Sequence, residues 1–319
     1  MKKIVIFGGG SGLSQLLKGL TLFPIDVTAV VSMSDNGGST GKLREEFSIP
    51  AVGDLTKVLM AMSTESDDVK KLFNYRFSKD SSVSGHSIKN LIITALLEMK
   101  GDFAHSLPIL CDLLDVKGHL CPLTEDNVNL IGITNDGEEI FGEEQITEAK
   151  KVIKELKYDV IPKVNTKVIS AINKADLIVF SSGSLLTSIM PHIIVPEIQK
   201  AINSSKAKCV YVCNMITQPG ETDNFKVSDH IKVIEKYLGK NTVDVVVANT
   251  APITRDMKIL AKSEGKEAVS IDEKELKKMN IKLIADDLFK VEDGYIRHDS
   301  LKVAYLIFSY LMNEEKVSK

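Results

Sequence analysis

The stretch "IVIFGGGSGL", Ile4–Leu13, decides the fold. A β-branched and aromatic run ends in a cluster of glycines, and an amphipathic segment begins at once. That order predicts a buried strand entering a helix through a tight turn. Working outward, Lys3–Phe7 reads as a strand, Ser11–Leu20 as a helix and Val27–Ser32 as a second strand. "DLIVFSS" from Asp176, "KCVYVCN" from Lys208 and "VDVVVAN" from Val243 read as three more strands, each ending in small or polar residues. Continuous apolar strands separated by helices predict a parallel sheet covered on both faces, which places ligand groups at its carboxyl edge.

The middle of the chain breaks this alternation. "NVNLIGITNDGEEIFGE" reads as two strands joined by Asn135-Asp136-Gly137, a strong hairpin signal. The whole is expected to be one doubly wound α/β domain over residues 1–319, with an antiparallel insertion at about 120–165. In "GDLTKVLMAMS" the spacing puts Leu55, Val58, Leu59 and Met62 on one helical stripe, with Asp54 as the N-cap. In "HSIKNLIITALLEM" it assigns Leu91, Ile92, Ala95, Leu96 and Met99 to the core side. A final helix is expected over Leu301–Met312.

Composition narrows the function classes. At 319 residues with a net charge of -3, the chain has a globular make-up and no basic field, which argues against nucleic acid as partner. The apolar run after Met1 is too short for a signal peptide, and no stretch approaches a membrane span, so a cytoplasmic protein is expected. Cys111, Cys121, Cys209 and Cys213 lack zinc-site spacing and read as free thiols, with Cys209 and Cys213 on one side of their strand.

The motifs point to an anionic ligand. Gly8, Gly9, Gly10, Ser11 and Gly12 place four glycines in five residues at a strand-to-helix turn, where backbone N–H groups can meet a phosphate. The dinucleotide fingerprint fails, because Leu13 stands at its last position. "SDNGGSTGKLREE" fails as a phosphate-binding Walker loop on register, yet offers Asp35 or Asn36 to a ribose hydroxyl. Gly37, Gly38 and Ser39 form a donor-rich loop there, and Lys42 and Arg44 bring positive charge. His86, Asn90 and Thr94 form a polar stripe at i, i+4 and i+8.

"SSGSLLTS" closes a strand with another glycine turn, giving Gly183, Ser184 and Leu185 as ligand contacts or caps. It is not a nucleophile elbow, since Leu186 replaces the final glycine. "NMITQPGETDNF" supplies Asn214, Thr217, Gln218, Glu221 and Thr222 for a base, ribose or sugar, or else a turn whose Thr222 or Asp223 caps the next helix. Asn249 ends the next strand and joins the same list.

Taken together, "GGGSGL", "DNGGSTGKLR", Gly53-Asp54, "YRF" at Tyr75–Phe77, "GHSIKN", "SGSLLTSIMP" and "VCNMITQPGETDNF" resemble the CofD-like family, most closely its gluconeogenesis-factor branch. The resemblance spans nearly the whole chain. It implies a Rossmann-like three-layer α/β fold, a mainly parallel sheet and a cytoplasmic role in cell-shape and cell-wall control on gluconeogenic carbon sources. Members of the branch resemble binders of nucleotide sugars such as UDP-N-acetylglucosamine. A homo-oligomer and a cell-wall regulatory protein are the macromolecular partners it allows.

The neighbouring branch transfers 2-phospho-L-lactate from a guanosine diphosphate carrier, with magnesium. By that analogy Asp35 and Asp54 would be the metal ligands and His86 the residue that activates the attacking hydroxyl. Here, however, Asn36 replaces a usual acidic residue and Leu55-Thr56-Lys57 follows Gly-Asp in place of Arg-Asn. These departures weigh more against transfer chemistry than against binding a nucleotide sugar or dinucleotide.

Overall fold

The protein is described by a computed structural model covering residues 1–78, 80–252, 261, 264–292 and 295–317. Its centre is a seven-stranded sheet, built from β1 (Lys3–Gly8), β2 (Asp26–Val31), β3 (His119–Pro122), β7 (Leu177–Phe180), β8 (Lys208–Val212), β9 (Val245–Asn249) and β10 (Lys282–Asp286). The strand order is β10-β9-β8-β7-β1-β2-β3, and every neighbouring pair is parallel. A three-stranded antiparallel sheet of β4 (Leu130–Thr134), β5 (Glu139–Phe141) and β6 (Ile153–Tyr158) stands beside it, and β11 (Phe289–Glu292) pairs with β12 (Tyr295–His298).

Alternation of side chains across the pleat divides the interior into two cores. Ile4, Ile6, Val27, Ala29 and Val31 face one core, together with Leu13, Leu17 and Leu20 of α1 (Gly10–Leu20). Val5, Phe7, Val30, Ile178 and Phe180 face the other. The helices α2 (Gly38–Phe47), α3 (Gly53–Met62), α4 (Asp67–Asn74), α5 (Ile88–Lys100) and α6 (Phe103–Leu113) follow β2. Leu43, Leu55, Leu59, Ile93 and Leu107 carry four of them into the first core. The second core is closed by α8 (Thr166–Lys174), α9 (Met190–Ile193), α10 (Pro196–Ser204) and α11 (Val227–Leu238), while α7 (Glu143–Ala149) connects β5 to β6 within the antiparallel sheet. The three-layer α/β architecture thus agrees with the sequence.

Several local expectations are corrected. The middle insertion is three-stranded, and β3, inside the range assigned to it, belongs to the main sheet. The hairpin turn is where expected, with Gly137 at φ 87°. The N-cap of α3 is Val52, because Asp54 sits in the first turn with its carboxylate directed to another helix. On α5 the buried face is Asn90, Ile93, Thr94 and Leu97, whereas Met99 is 73% exposed. Polar partners decided that orientation: the Asn90 Oδ1 accepts from Thr56 Oγ1 at 2.8 Å inside the helical layer.

Neither Thr222 nor Asp223 caps α11. Their oxygens accept the Gln218 and Gly220 amides within the preceding turn. The C-terminal helix runs over Ser300–Val317, longer than expected. Cys121, Cys209 and Cys213 are buried, Cys111 is half-buried, and all four are free thiols. Among the described residues no helix is long and apolar enough to cross a membrane.

Candidate functional site

Strands β1 and β7 are neighbours, yet the chain leaves them toward opposite faces. After β1 it enters α1 on the first core; after β7 it enters a π-turn, Leu185–Ile189, and α9 on the second. Such a switch point opens a crevice beyond the carboxyl ends of the strands. The glycines let its two turns touch. A Cβ on Gly12 would lie 1.8 Å from the Ser182 carbonyl oxygen, and one on Gly8 2.1 Å from Ser181 Oγ. Gly183 takes a φ of 143°, closed to other residues. Asn214 locks that turn, accepting the Gly183 amide at 2.9 Å and donating to its carbonyl at 2.6 Å.

Both helix N-termini at this switch point already hold a carboxylate. The Gly10 amide donates to Asp54 Oδ2 at 2.7 Å, and Asp54 Oδ1 receives Lys57 Nζ at 2.9 Å. Past β7, Ser184 Oγ accepts the Thr187 amide at 2.9 Å and donates to Glu221 Oε2 at 2.7 Å. Glu221 Oε1 accepts the Leu186 amide at 3.0 Å. Burial pushes Glu221 up to about 7, even against these donors. The expectation of open amides at both turns is therefore corrected: internal anions satisfy the Gly10 and Leu186 donors. A side chain at Gly10 would meet Asp54 Oδ1 at 2.2 Å, so substitution there disturbs the fold before any ligand.

Around the turns lies a cleft of about 730 Å3. Of the residues expected in a site, Ser11, Gly12, Gly183, Ser184, Asn214, Thr217 and Gln218 line it. The sequence did not single out Thr147, Lys150, Glu264 and Lys266, which complete the wall, and Arg297 and His298, left unplaced by their motif, turn into it from β12. Lys150 sits just past α7 in the left-handed conformation, at φ 48°. Gly220, at φ 81°, packs so closely on it that a Cβ would be 2.3 Å from the Lys150 carbonyl carbon. That contact, between residues far apart in the chain, holds the lysine at the cleft.

Lys266 is paired with Glu264 at 2.6 Å. Burial lowers His298 to about 4, so at neutral pH it is uncharged, hydrogen-bonded to the Cys213 carbonyl. Thr217 also ties the cleft wall together, its Oγ1 accepting the Glu267 amide at 2.8 Å. Leu185 is core, Thr222 is internal to its turn, and Asn249 lies outside the cleft with its Oδ1 accepting the Ala251 and Leu288 amides.

The remaining expected residues form a second polar cluster on the other side of Asp54. Asp35 Oδ1 accepts the Gly37 amide at 3.0 Å, next to Gly38 at φ 48°. Asn36 bridges to α7, donating to Gln145 Oε1 at 2.8 Å and accepting the Glu144 amide at 3.0 Å. Ser39 Oγ and His86 Nδ1 are 2.9 Å apart, with the Asn90 amide nitrogen 3.5 Å from the same hydroxyl. Lys42 is exposed. Arg44 is not a phosphate ligand: it is buried, donating to Asn127 Oδ1, the Val128 carbonyl and the Asp35 carbonyl.

Glu143, also missed by the sequence, accepts from Ser34 Oγ at 3.3 Å. Burial, then repulsion from Asp54 and Asp35, raises it well above the usual carboxylate range, and burial with Asp54 raises Asp35. Among the described residues no group of three or more His, Cys, Asp or Glu side chains is arranged to hold a metal. Asp35 and Asp54 supply the carboxylate chemistry magnesium prefers, but each Asp54 oxygen already has a donor. The pair fits magnesium only if the Lys57 ammonium is displaced.

Residues 4–289 match the model of the CofD family, 2-phospho-L-lactate transferase. A gluconeogenesis factor of Bacillus subtilis is 39% identical over 97% of this chain and 98% of its own, and one of Listeria innocua is 37% identical over 98% and 96%. A crystal structure of a Bacillus halodurans protein superposes with a TM-score of 0.93, at 38% identity, covering 96% of this chain and 99% of that one.

Proposed function

Because the chain belongs to the CofD family, in its gluconeogenesis-factor branch, we propose that it is a cytoplasmic regulatory protein whose switch-point cleft binds a nucleotide sugar of the uridine-diphosphate class. One observation carries this reading. Six separated segments, from the first glycine turn to β12, meet around a cleft of about 730 Å3, within the usual range for ligand sites. With the Gly10 and Leu186 amides and the Ser184 hydroxyl satisfied internally, the diphosphate falls to side chains, Lys150 and Arg297, and to the hydroxyl of Ser11. Gln218 and the carbonyls of the Asn214–Pro219 segment serve base or sugar.

The Ser184 hydroxyl on the cleft wall donates to Glu221, and both groups are taken up in capping the turn through the Thr187 and Leu186 amides, so binding without turnover fits the cleft. The role follows the branch: control of cell shape and wall synthesis on gluconeogenic carbon sources, with the ligand as the metabolic signal.

The test is calorimetry with UDP-N-acetylglucosamine, UDP and uridine. Binding of the first two without product formation is expected, and no binding of any of them would refute the reading. Lys150→Ala should weaken UDP-N-acetylglucosamine roughly ten- to hundredfold, the loss of one charge-assisted contact, and leave uridine unchanged. The neighbouring carboxylates of Asp35 and Asp54 beside the same glycine turn favour a second reading, a magnesium-dependent phospholactyl-type transferase, in which the ion displaces Lys57 from Asp54. Magnesium-dependent binding of GDP with group transfer would establish that reading instead.

A further inference from the structure

The start of β1 borders a second cavity, of about 520 Å3, at the opposite end of the sheet from the cleft. Its floor includes Thr28 and Cys121, and β3 is the sheet edge. There α6 packs into the first core and α8 into the second, so the cavity opens where the two helical layers pass the edge strand. The α6 contribution is apolar: Phe103, Leu107 and Cys111, at i, i+4 and i+8, share one helix face. The α8 contribution is different. Val168 and Ile172 go to the core, and Lys167, Ser170, Ala171 and Lys174 line the cavity.

The two lysines lie about 10 Å apart along α8, by helical rise, with two small residues between them. That is a slot flanked by ammonium groups. Its other charges are mostly spoken for. Asp26 holds Lys3 at 3.5 Å and His119 at 3.3 Å, and Glu125 accepts the Phe103 amide at 3.1 Å. Among the described residues Lys167 and Lys174 have no carboxylate partner; of the carboxylates on the lining Asp112 is exposed and Glu125 is turned to the Phe103 amide.

We propose that this cavity binds a small organic acid with an apolar body, its carboxylate held by Lys167 and Lys174 and its hydrocarbon laid against Phe103, Leu107 and Cys111. The chemistry follows from the walls: one face removes apolar surface from water, the other supplies two ammonium groups at the rim that no carboxylate holds. The site shares no lining residue with the cleft and does not depend on what the cleft binds.

The experiment is a titration of the full chain, labelled with nitrogen-15, with octanoate and 4-phenylbutyrate, and with octanamide as the neutral control. Saturable amide shifts confined to α6, α8 and the starts of β1–β3 are expected. Octanamide should bind at least about tenfold more weakly, as should octanoate to the Lys167→Glu, Lys174→Glu double variant. Both lysines are exposed, so the double variant should fold. Ser170→Phe, also at an exposed position, fills the slot and should abolish the shifts. Absence of shifts in α6 and α8, equal binding of octanamide, or undiminished binding by the slot-filled protein would each overturn the proposal.

Discussion

Glu221 shows how a single side chain couples the glycine turn to its surroundings. It titrates near 7 in the folded chain against an ordinary value of 4.5. A carboxyl with a raised value holds its proton more tightly when folded. Its stabilising share is therefore complete below about pH 4.5 and is lost as pH rises through 7. Asp35 and Glu143 are raised in the same direction and add to the trend. Glu221→Gln cannot ionise, so its urea-unfolding stability should fall less steeply between those pH values than that of the wild type. Parallel curves would show that Glu221 is not the titrating group. The sequence offered Glu221 as a ligand contact because it stands in a polar turn after a strand. What it could not show is that Ser184 and the Leu186 amide, some 35 residues earlier, close on that carboxylate.

Elements explain why some motif residues serve architecture. Helix α2 is tied to the loop before β4 by Arg44, whose guanidinium serves four loop and turn acceptors inside the protein. Arg44→Met leaves those oxygens without a donor and should cost about 2–3 kcal/mol in denaturant unfolding. Affinity for UDP-N-acetylglucosamine should be unchanged; a loss of affinity with stability intact would return Arg44 to the binding site. The orientation of α5 teaches the same lesson. Counting apolar positions selects the side of the helix that carries Leu91, Ile92 and Met99. Burial instead follows Asn90 and Thr94, because Thr56 and the Asn90 carbonyl satisfy them. Strands β1, β2, β7, β8 and β9 were legible because each is a continuous apolar run. The short β3 and the half-exposed β10 lack that pattern.

Over the whole molecule, the C-terminal helix closes the first core. Val303, Ala304, Ile307, Tyr310 and Leu311 are buried there, and Phe308 stacks on Phe23 with ring centroids 4.8 Å apart. Gly19 permits the approach, since a Cβ would meet the Ser300 carbonyl oxygen at 2.2 Å. A chain ending at Asp299 would expose the matching face of α1, and size-exclusion chromatography should find it aggregated. A monodisperse, folded product would show the helix to be dispensable. By itself the sequence determined the parallel sheet, the turns at its carboxyl edge and the family, because strand runs, glycine clusters and motif order are local patterns. Only the tertiary structure decided which polar groups line the cleft: Asp54 and Glu221 fill the helix termini, while Lys150 and Arg297 arrive at the cleft from distant segments. Such pairings depend on distances in space, and no spacing along the chain encodes them.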